Sequence, residues 1–191
     1  MFAQFMPALR MLVILSGLTG VIYPLLVTGV AKLAFSRAAD GSLIVTDGKM
    51  LGSDLIGQPF DGPKYFWSRP SATSPQPYNA MASSGSNQGA RNPALADAVK
   101  DRIKALRDAD PGNTAAVPVD LITASASGLD PHISVAAAEY QLSRVAKARG
   151  LAEEPVRALL NANTEGRTLG VLGEPRVNVL RLNIALDRAS K

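Results

Sequence analysis

The chain has no cysteine, a single histidine (His132), a single tryptophan (Trp67) and aromatic residues at only 5% of its 191 positions. Without thiols it forms no disulfide, thiolate metal site or cysteine nucleophile. Zinc and copper centres draw on several His or Cys ligands, and only one such residue is present. A serine hydrolase would have His132 as its only imidazole base. That residue follows Asp130-Pro131, where cap-then-proline spacing predicts the first turn of a helix and a structural or surface role. The carboxylates are scattered without an acid–base pair, and Glu153-Glu154 reads as the acidic first turn of a helix. No P-loop is present: Ser83-Ser84-Gly85-Ser86-Asn87-Gln88-Gly89 lacks the Gly-Lys-Ser/Thr ending and follows no clear strand, so it reads as a structural turn or a partner-binding loop.

A basic run is also missing. The formal charge is +4, but Arg10, Lys32 and Arg37 carry three of the 20 bases, so residue 38 onward holds 17 bases against 16 acids. A nearly neutral domain is a poor polyanion binder, which sets nucleic acid aside.

The strongest positive feature is the uncharged run Met11–Ala31, 21 residues between Arg10 and Lys32. At 1.5 Å per residue it spans roughly 31 Å, the thickness of a bilayer's hydrocarbon core. It exceeds the apolar core of a secretory signal, and its best cleavage site, Ser36-Arg37-Ala38, places a base beside the scissile bond. The expected organisation is a short segment 1–10, a transmembrane helix 11–31 anchored in the lipid bilayer, and one domain over 38–191. Pro24 would kink a soluble helix, but neighbouring groups in a bundle can satisfy the freed carbonyl. Gly20, with Ser16, Gly17 and Gly29, lets a second helix approach. Basic flanks balance on the two sides, so the positive-inside rule gives a tie.

Within the domain, Leu43–Thr46 reads as a strand, and Phe60–Asn92, rich in Gly, Pro, Ser and Asn, as a long ordered loop region. Asn92-Pro93 opens a helix with the stripe Leu95, Val99, Ile103 and Leu106, stopped at Asp110-Pro111-Gly112. Val117–Ala124 reads as a buried strand. A second helix is expected from Asp130-Pro131 to Arg149, closed by Gly150, and a third over Glu153–Asn161. The tail, Arg176–Asp187, reads as a core strand. Strands interleaved with helices give a single N-terminal transmembrane helix followed by one small mixed α/β (α+β) domain. Phe66, Trp67 and Arg69 suggest a cation–π contact in the core or an interface anchor.

Five strings in register add a resemblance. They are Leu55–Gln58 (LIGQ), Tyr65–Ser71 (YFWSRPS), Ser83–Asn87 (SSGSN), Val119–Ser134 (VDLITASASGLDPHIS) and Leu172–Leu180 (LGEPRVNVL). Together with the anchor and the length they resemble the C subunit of the bacterial Kdp potassium-transporting P-type ATPase. The resemblance implies an accessory subunit in the inner membrane with a periplasmic domain, not an enzyme by itself. Its partners would be a channel-like potassium-binding subunit and a P-type ATPase subunit that hydrolyses ATP through a phosphoaspartate. It also implies a catalytic-chaperone role that raises the ATPase subunit's affinity for ATP; no tightly bound cofactor is expected, and Gln141, read as part of a polar helix face, is the candidate for nucleotide contact. Candidates for partner contact are Trp67 and Arg69, the loop residues Ser84, Gly85 and Asn87, and Gly20 and Pro24 of the helix. The alternative is a membrane-anchored extracytoplasmic ligand-binding or sensor domain, which would need a preformed pocket.

Overall fold

The computed structural model describes residues 4–189 and divides after Leu51 into two compact units. The first is dominated by one continuous apolar helix, Phe5–Ala34, made of α1 (Phe5–Gly17), a π-helical turn (Leu18–Ile22) and α2 (Tyr23–Ala34). At 30 residues it is about 45 Å long, extending the expected span by one to two turns at the N-terminal end. None of its side chains is buried.

Pro24 does not break this helix, and the π turn explains why. Proline has no N–H for the Gly20 carbonyl and its ring crowds that carbonyl. The chain answers by widening one turn: Tyr23 N–H donates to Leu18 O, five residues back. Beyond their own stretch of helix, Gly17, Gly20 and Gly29 have nothing among the described residues within 4 Å of where a Cβ would stand, so their small faces remain open. Phe35 leaves helical geometry, one turn α3 (Ser36–Ala39) follows, and β1 (Leu43–Thr46) pairs with β2 (Lys49–Ser53) through Asp47-Gly48. Both turn residues have positive φ (52° and 73°), as a two-residue hairpin turn requires.

Among its described residues the second unit holds four α-helices and a three-stranded antiparallel sheet. These are α4 (Pro93–Ala109), α5 (Val135–Arg149), α6 (Glu153–Ala162) and α7 (Val179–Ala189), with β3 (His132–Ser134), β4 (Thr164–Glu165) and β5 (Arg176–Asn178) in the order β3-β5-β4. Helices α5 and α7 pack on the strands. The central β5 sets Val177 opposite both Ile133 and Thr164. Phe66, Leu142, Val145, Leu160, Val177, Leu182 and Leu186 form the dry centre of the core. Asn92 caps α4 through Ala94 N–H (3.0 Å), and Gly150, at φ 65°, ends α5. Residues 60–92 contain only one 3₁₀ turn, Ala80–Ala82, as expected for an ordered loop.

Three expectations fail for identifiable reasons. Val117–Ala124 is not a strand: Val119–Leu121 is a 3₁₀ turn, with Val119 O accepting from Ile122 N, Thr123 N and the Thr123 hydroxyl. The helix expected from Asp130-Pro131 begins at Val135 instead. Asp130 Oδ1 accepts from His132 N (3.0 Å), a local turn that lets His132–Ser134 form β3, and Ser134 caps the helix through Ala137 N (3.0 Å). The tail is a strand only to Asn178, whose side-chain oxygen accepts from Arg181 N (3.1 Å) and starts α7. From there Val179, Leu182, Asn183 and Leu186 repeat at helical spacing toward the core.

Leu182 is fully buried, and truncating it leaves a cavity that the surrounding sheet and helices fill only partly. Leu182→Ala is expected to lower unfolding stability by about 2–5 kcal/mol, whereas Leu172→Ala, at an exposed position, should stay within about 0.5 kcal/mol. Chemical denaturation of the full chain in detergent measures both.

Candidate functional site

The residues singled out in the sequence converge on an extended segment, Gly62–Thr73, that crosses the second unit without belonging to a strand. Buried backbone polar groups need partners, and here side chains supply them. Asn183 of α7 accepts from Phe66 N (2.9 Å) and donates to Phe66 O (3.0 Å). Gln141 of α5 does the same for the next residue, accepting from Trp67 N (2.7 Å) and donating to Trp67 O (3.2 Å). Two consecutive residues are each held by both amide groups of one side chain, in place of a neighbouring strand. Phe66 is thereby driven into the core at 0% exposure.

Gln141 therefore does not lie on an accessible polar helix face. It is 1% exposed, and its oxygen also accepts from Arg144 Nη2 (2.7 Å). A nucleotide reaching it would have to displace the Trp67 main chain. Arg144 completes the fastening: Nη1 donates to Pro63 O (2.6 Å), Nη2 to Tyr65 O (3.1 Å), and the guanidinium stacks 4.6 Å from the Trp67 ring centroid. Burial pulls its pKa down to about 10, against the opposing field of Asp110. The expected cation–π contact exists, with Arg144 rather than Arg69 as its cation. The indole N–H donates to Gly62 O (3.0 Å).

Arg69 is spent on a second junction. It pairs with Asp130 (3.3 Å) and donates to Thr123 O (3.3 Å) and Ala124 O (3.5 Å), tying the segment to the Val119–Ser134 string. Burial alone would raise the Asp130 pKa, but hydrogen bonds from His132 and Arg69 outweigh it and hold the carboxyl below its ordinary range. His132 sits in β3 between Asp130 (3.5 Å) and Glu165 (3.8 Å), not in a helix turn. No group of three or more His, Cys, Asp or Glu suited to a metal ion occurs among the described residues.

The Ser/Gly loop packs on the same string. Ser83 Oγ donates to Ser127 O (3.0 Å), and Ser71 Oγ, on the fastened segment beside it in the fold, donates to Gly128 O (2.6 Å). Gly128 (φ 69°) leaves no room for a side chain: a Cβ would lie 2.4 Å from Thr73 Cγ2 and 2.9 Å from Ser84 O. At Gly85 a Cβ would lie 2.9 Å from Ala126 O. Ser84 and Asn87 remain exposed on this braced loop. Trp67, Arg69 and Gly85 are thus framework first, while Gly20 and Pro24 belong to the apolar helix of the first unit. Sequence reasoning missed the roles of Asn183 and Arg144; an amide among the apolar residues of the tail, and the i,i+3 spacing of Gln141 to Arg144, were the available signals.

The chain matches the family described as "KdpC: K+-transporting ATPase, c chain" over residues 5–188. It is 65% identical over 185 residues, 97% of each chain, to the "Potassium-transporting ATPase KdpC subunit" of Dechloromonas aromatica (strain RCB). The chain belongs to the KdpC family. Identity is 64% over 187 residues (98% of each chain) to the KdpC subunit of Methylococcus capsulatus (strain ATCC 33009 / NCIMB 11132 / Bath). It is 62% over 189 residues (99% of this chain, all of the relative) to that of Sorangium cellulosum (strain So ce56). The match runs through both the apolar helix and the fastened loops.

Tyr78 locks the loop from beneath, its phenol donating to Arg69 O. Burial, aided by the Asp130 carboxylate and opposed by a hydrogen bond with Ser68, raises its pKa from 10.0 to about 12. The folded state then holds a proton that the unfolded state has lost, so stability should fall as pH rises from about 10 to about 12. Tyrosinate absorbance of the wild type and of Tyr78→Phe should differ by a phenol titrating near the upper end of that window.

Proposed function

We propose that this chain is the accessory, non-catalytic subunit of a potassium-transporting P-type ATPase, held in the membrane by Phe5–Ala34 and needed for assembly and activity of the pump. The family match along residues 5–188 carries the reading. The open glycine faces and unburied apolar surface of the helix suit packing against lipid and partner helices. The partners are a channel-like subunit that selects potassium and a subunit that hydrolyses ATP.

The domain lies on the periplasmic side in this reading. Ser84 and Asn87 then belong to a docking loop braced by the domain itself, through the Ser83–Ser127 hydrogen bond and the close packing of Gly85 on Ala126, before any partner arrives, which limits the ordering entropy lost on binding. Any rise in the ATP affinity of the catalytic subunit is transmitted through the membrane helix and the channel mouth. The burial of Gln141 supports that route over direct nucleotide contact.

Deleting the chain should abolish high-affinity potassium uptake and prevent recovery of the assembled ATPase. Ser84→Cys, in a chain with no cysteine of its own, should react with a membrane-impermeant maleimide in intact cells. Ser190→Cys serves as a second site; Ser190 lies outside the described residues. Labelling only after permeabilisation, with both sites shown reactive, would place the domain beside the nucleotide-hydrolysing machinery and overturn the periplasmic reading.

A further inference from the structure

The loop between β4 and β5 ends in an apolar tip for which the domain itself has no use. Leu169, Val171 and Leu172 are 87%, 71% and 59% exposed, and the remaining residue of the run, Gly170, has no side chain. Single exposed aliphatics such as Val119 or Leu55 are ordinary, but three within four positions on one tip are not. The backbone sharpens the contrast. Leu169 stands at φ 56° and Gly170 at φ 77°. Glycine adopts that region freely and asparagine tolerates it, whereas a bulky side chain is strained there. Leu169 is therefore unfavourable twice over within the chain alone, by conformation and by exposure, which points to something outside the domain that it touches.

Charge, hydrogen bonding and area together select what it touches. From Leu169 to Gly173 the tip has no charged or polar side chain, and the ion pair at its base is self-neutralising: Arg167 Nη2 donates to both Glu174 carboxylate oxygens (2.8 Å each). The turn also closes hydrogen bonds within itself. Thr168 and Leu172 exchange N–H···O bonds (2.9 Å each), Gly170 N donates to Arg167 O (3.0 Å) and Val171 N to Thr168 O (3.3 Å). Backbone entering hydrocarbon needs its polar groups met internally, a demand that a protein site relaxes because the partner can supply donors and acceptors. Three aliphatic side chains cannot by themselves supply the roughly 800 Å² a side of a stable protein interface. A surface to which the chain is already tied needs no such area. The second unit starts at Gly52, 18 residues beyond Ala34 (52 − 34), so the covalent link alone keeps it within about 65 Å of the helix end.

We propose that the Thr168–Leu172 loop dips into the boundary between headgroups and acyl chains of the bilayer that holds Phe5–Ala34, its aliphatic side chains entering hydrocarbon. The proposal rests on the reading of that helix as a membrane anchor and adds a second, reversible contact with lipid. Arg167 and Glu174 stay at the headgroup level, and their mutual pairing makes the contact independent of anionic lipid. Two points of attachment restrict the tumbling of the domain about its link and present its braced loops to a partner in a narrower range of orientations.

The test uses the full chain in phosphatidylcholine vesicles, with Val171→Cys carrying an NBD fluorophore in a sequence that has no other cysteine. Lipids bearing a nitroxide near the headgroup should quench this reporter and aqueous iodide should not; Ser84→Cys, on the exposed loop, should show the reverse. Leu169→Asn removes the apolar tip and suits the positive φ. It should lower the ratio of lipid to iodide quenching at residue 171 about tenfold, while the melting temperature of the unlabelled variant stays unchanged or rises. A structural role for Leu169 would not give that combination. Iodide quenching at residue 171 equal to that at residue 84, with no effect of the lipid quencher, would overturn the proposal. Unchanged quenching in Leu169→Asn would also overturn it, since the fluorophore rather than the tip would then be seeking lipid. Protection of residue 171 that appears only in the co-purified pump complex would assign the tip to a protein partner instead. Val21→Cys, within the apolar helix, separates the tip from the anchor. Lipid quenching at residue 21 but not at residue 171 defeats the tip alone, whereas its absence at both defeats the anchor as well.

Discussion

The domain depends on a substitution of side-chain amides for a β-strand partner. Phe66 and Trp67 lie on a segment with no ladder to join, yet Phe66 is in the driest part of the core. Asn183 and Gln141 close the four main-chain groups of these two residues from opposite sides. Each group left unpaired in that setting would cost about 1–3 kcal/mol. Arg144 extends the arrangement by taking the Pro63 and Tyr65 carbonyls and covering the indole. Remove this pairing and the aromatic cluster has no route into the core.

That constraint decides which residues remain for partners. Trp67, Arg69 and Gln141 look functional by residue type, but their polar atoms serve internal contacts. Surfaces not engaged in these contacts include the exposed face of the Ser83–Asn87 loop and the apolar helix. A domain built this way is rigid before it meets the pump. In the proposed role its contribution to transport is positional rather than chemical, and a rigid domain would gain affinity by losing little freedom on docking.

Much of the architecture was legible because it rests on local signals. The apolar run, the Asn92-Pro93 start, the Gly150 stop and the acidic first turn of α6 each express a backbone rule over a few residues. The tail was misread because Val177 and Val179 carry strand propensity, while the start of α7 depends on the Asn178 side chain turning back to Arg181 N–H. The Asp130-Pro131 pair was misread for the same reason: its cap serves a turn into β3, not a helix. At the site, the importance of the Tyr65–Ser71 string was visible. Its partners at Gln141, Arg144 and Asn183 lie 74 or more residues away in sequence, and no spacing rule connects them.

The most direct measurement is hydrogen exchange at the Phe66 and Trp67 amides, in the full chain in detergent and without nucleotide or partners. If the side-chain amides hold the segment, both N–H groups should exchange only through large-scale opening, as slowly as amides in the middle of α5, and Gln141→Ala should selectively release Trp67. Exchange at the rate of an open surface loop in the wild type would contradict the account. It would mean that the segment is not fastened by Asn183 and Gln141, and that Gln141 is free to meet a ligand.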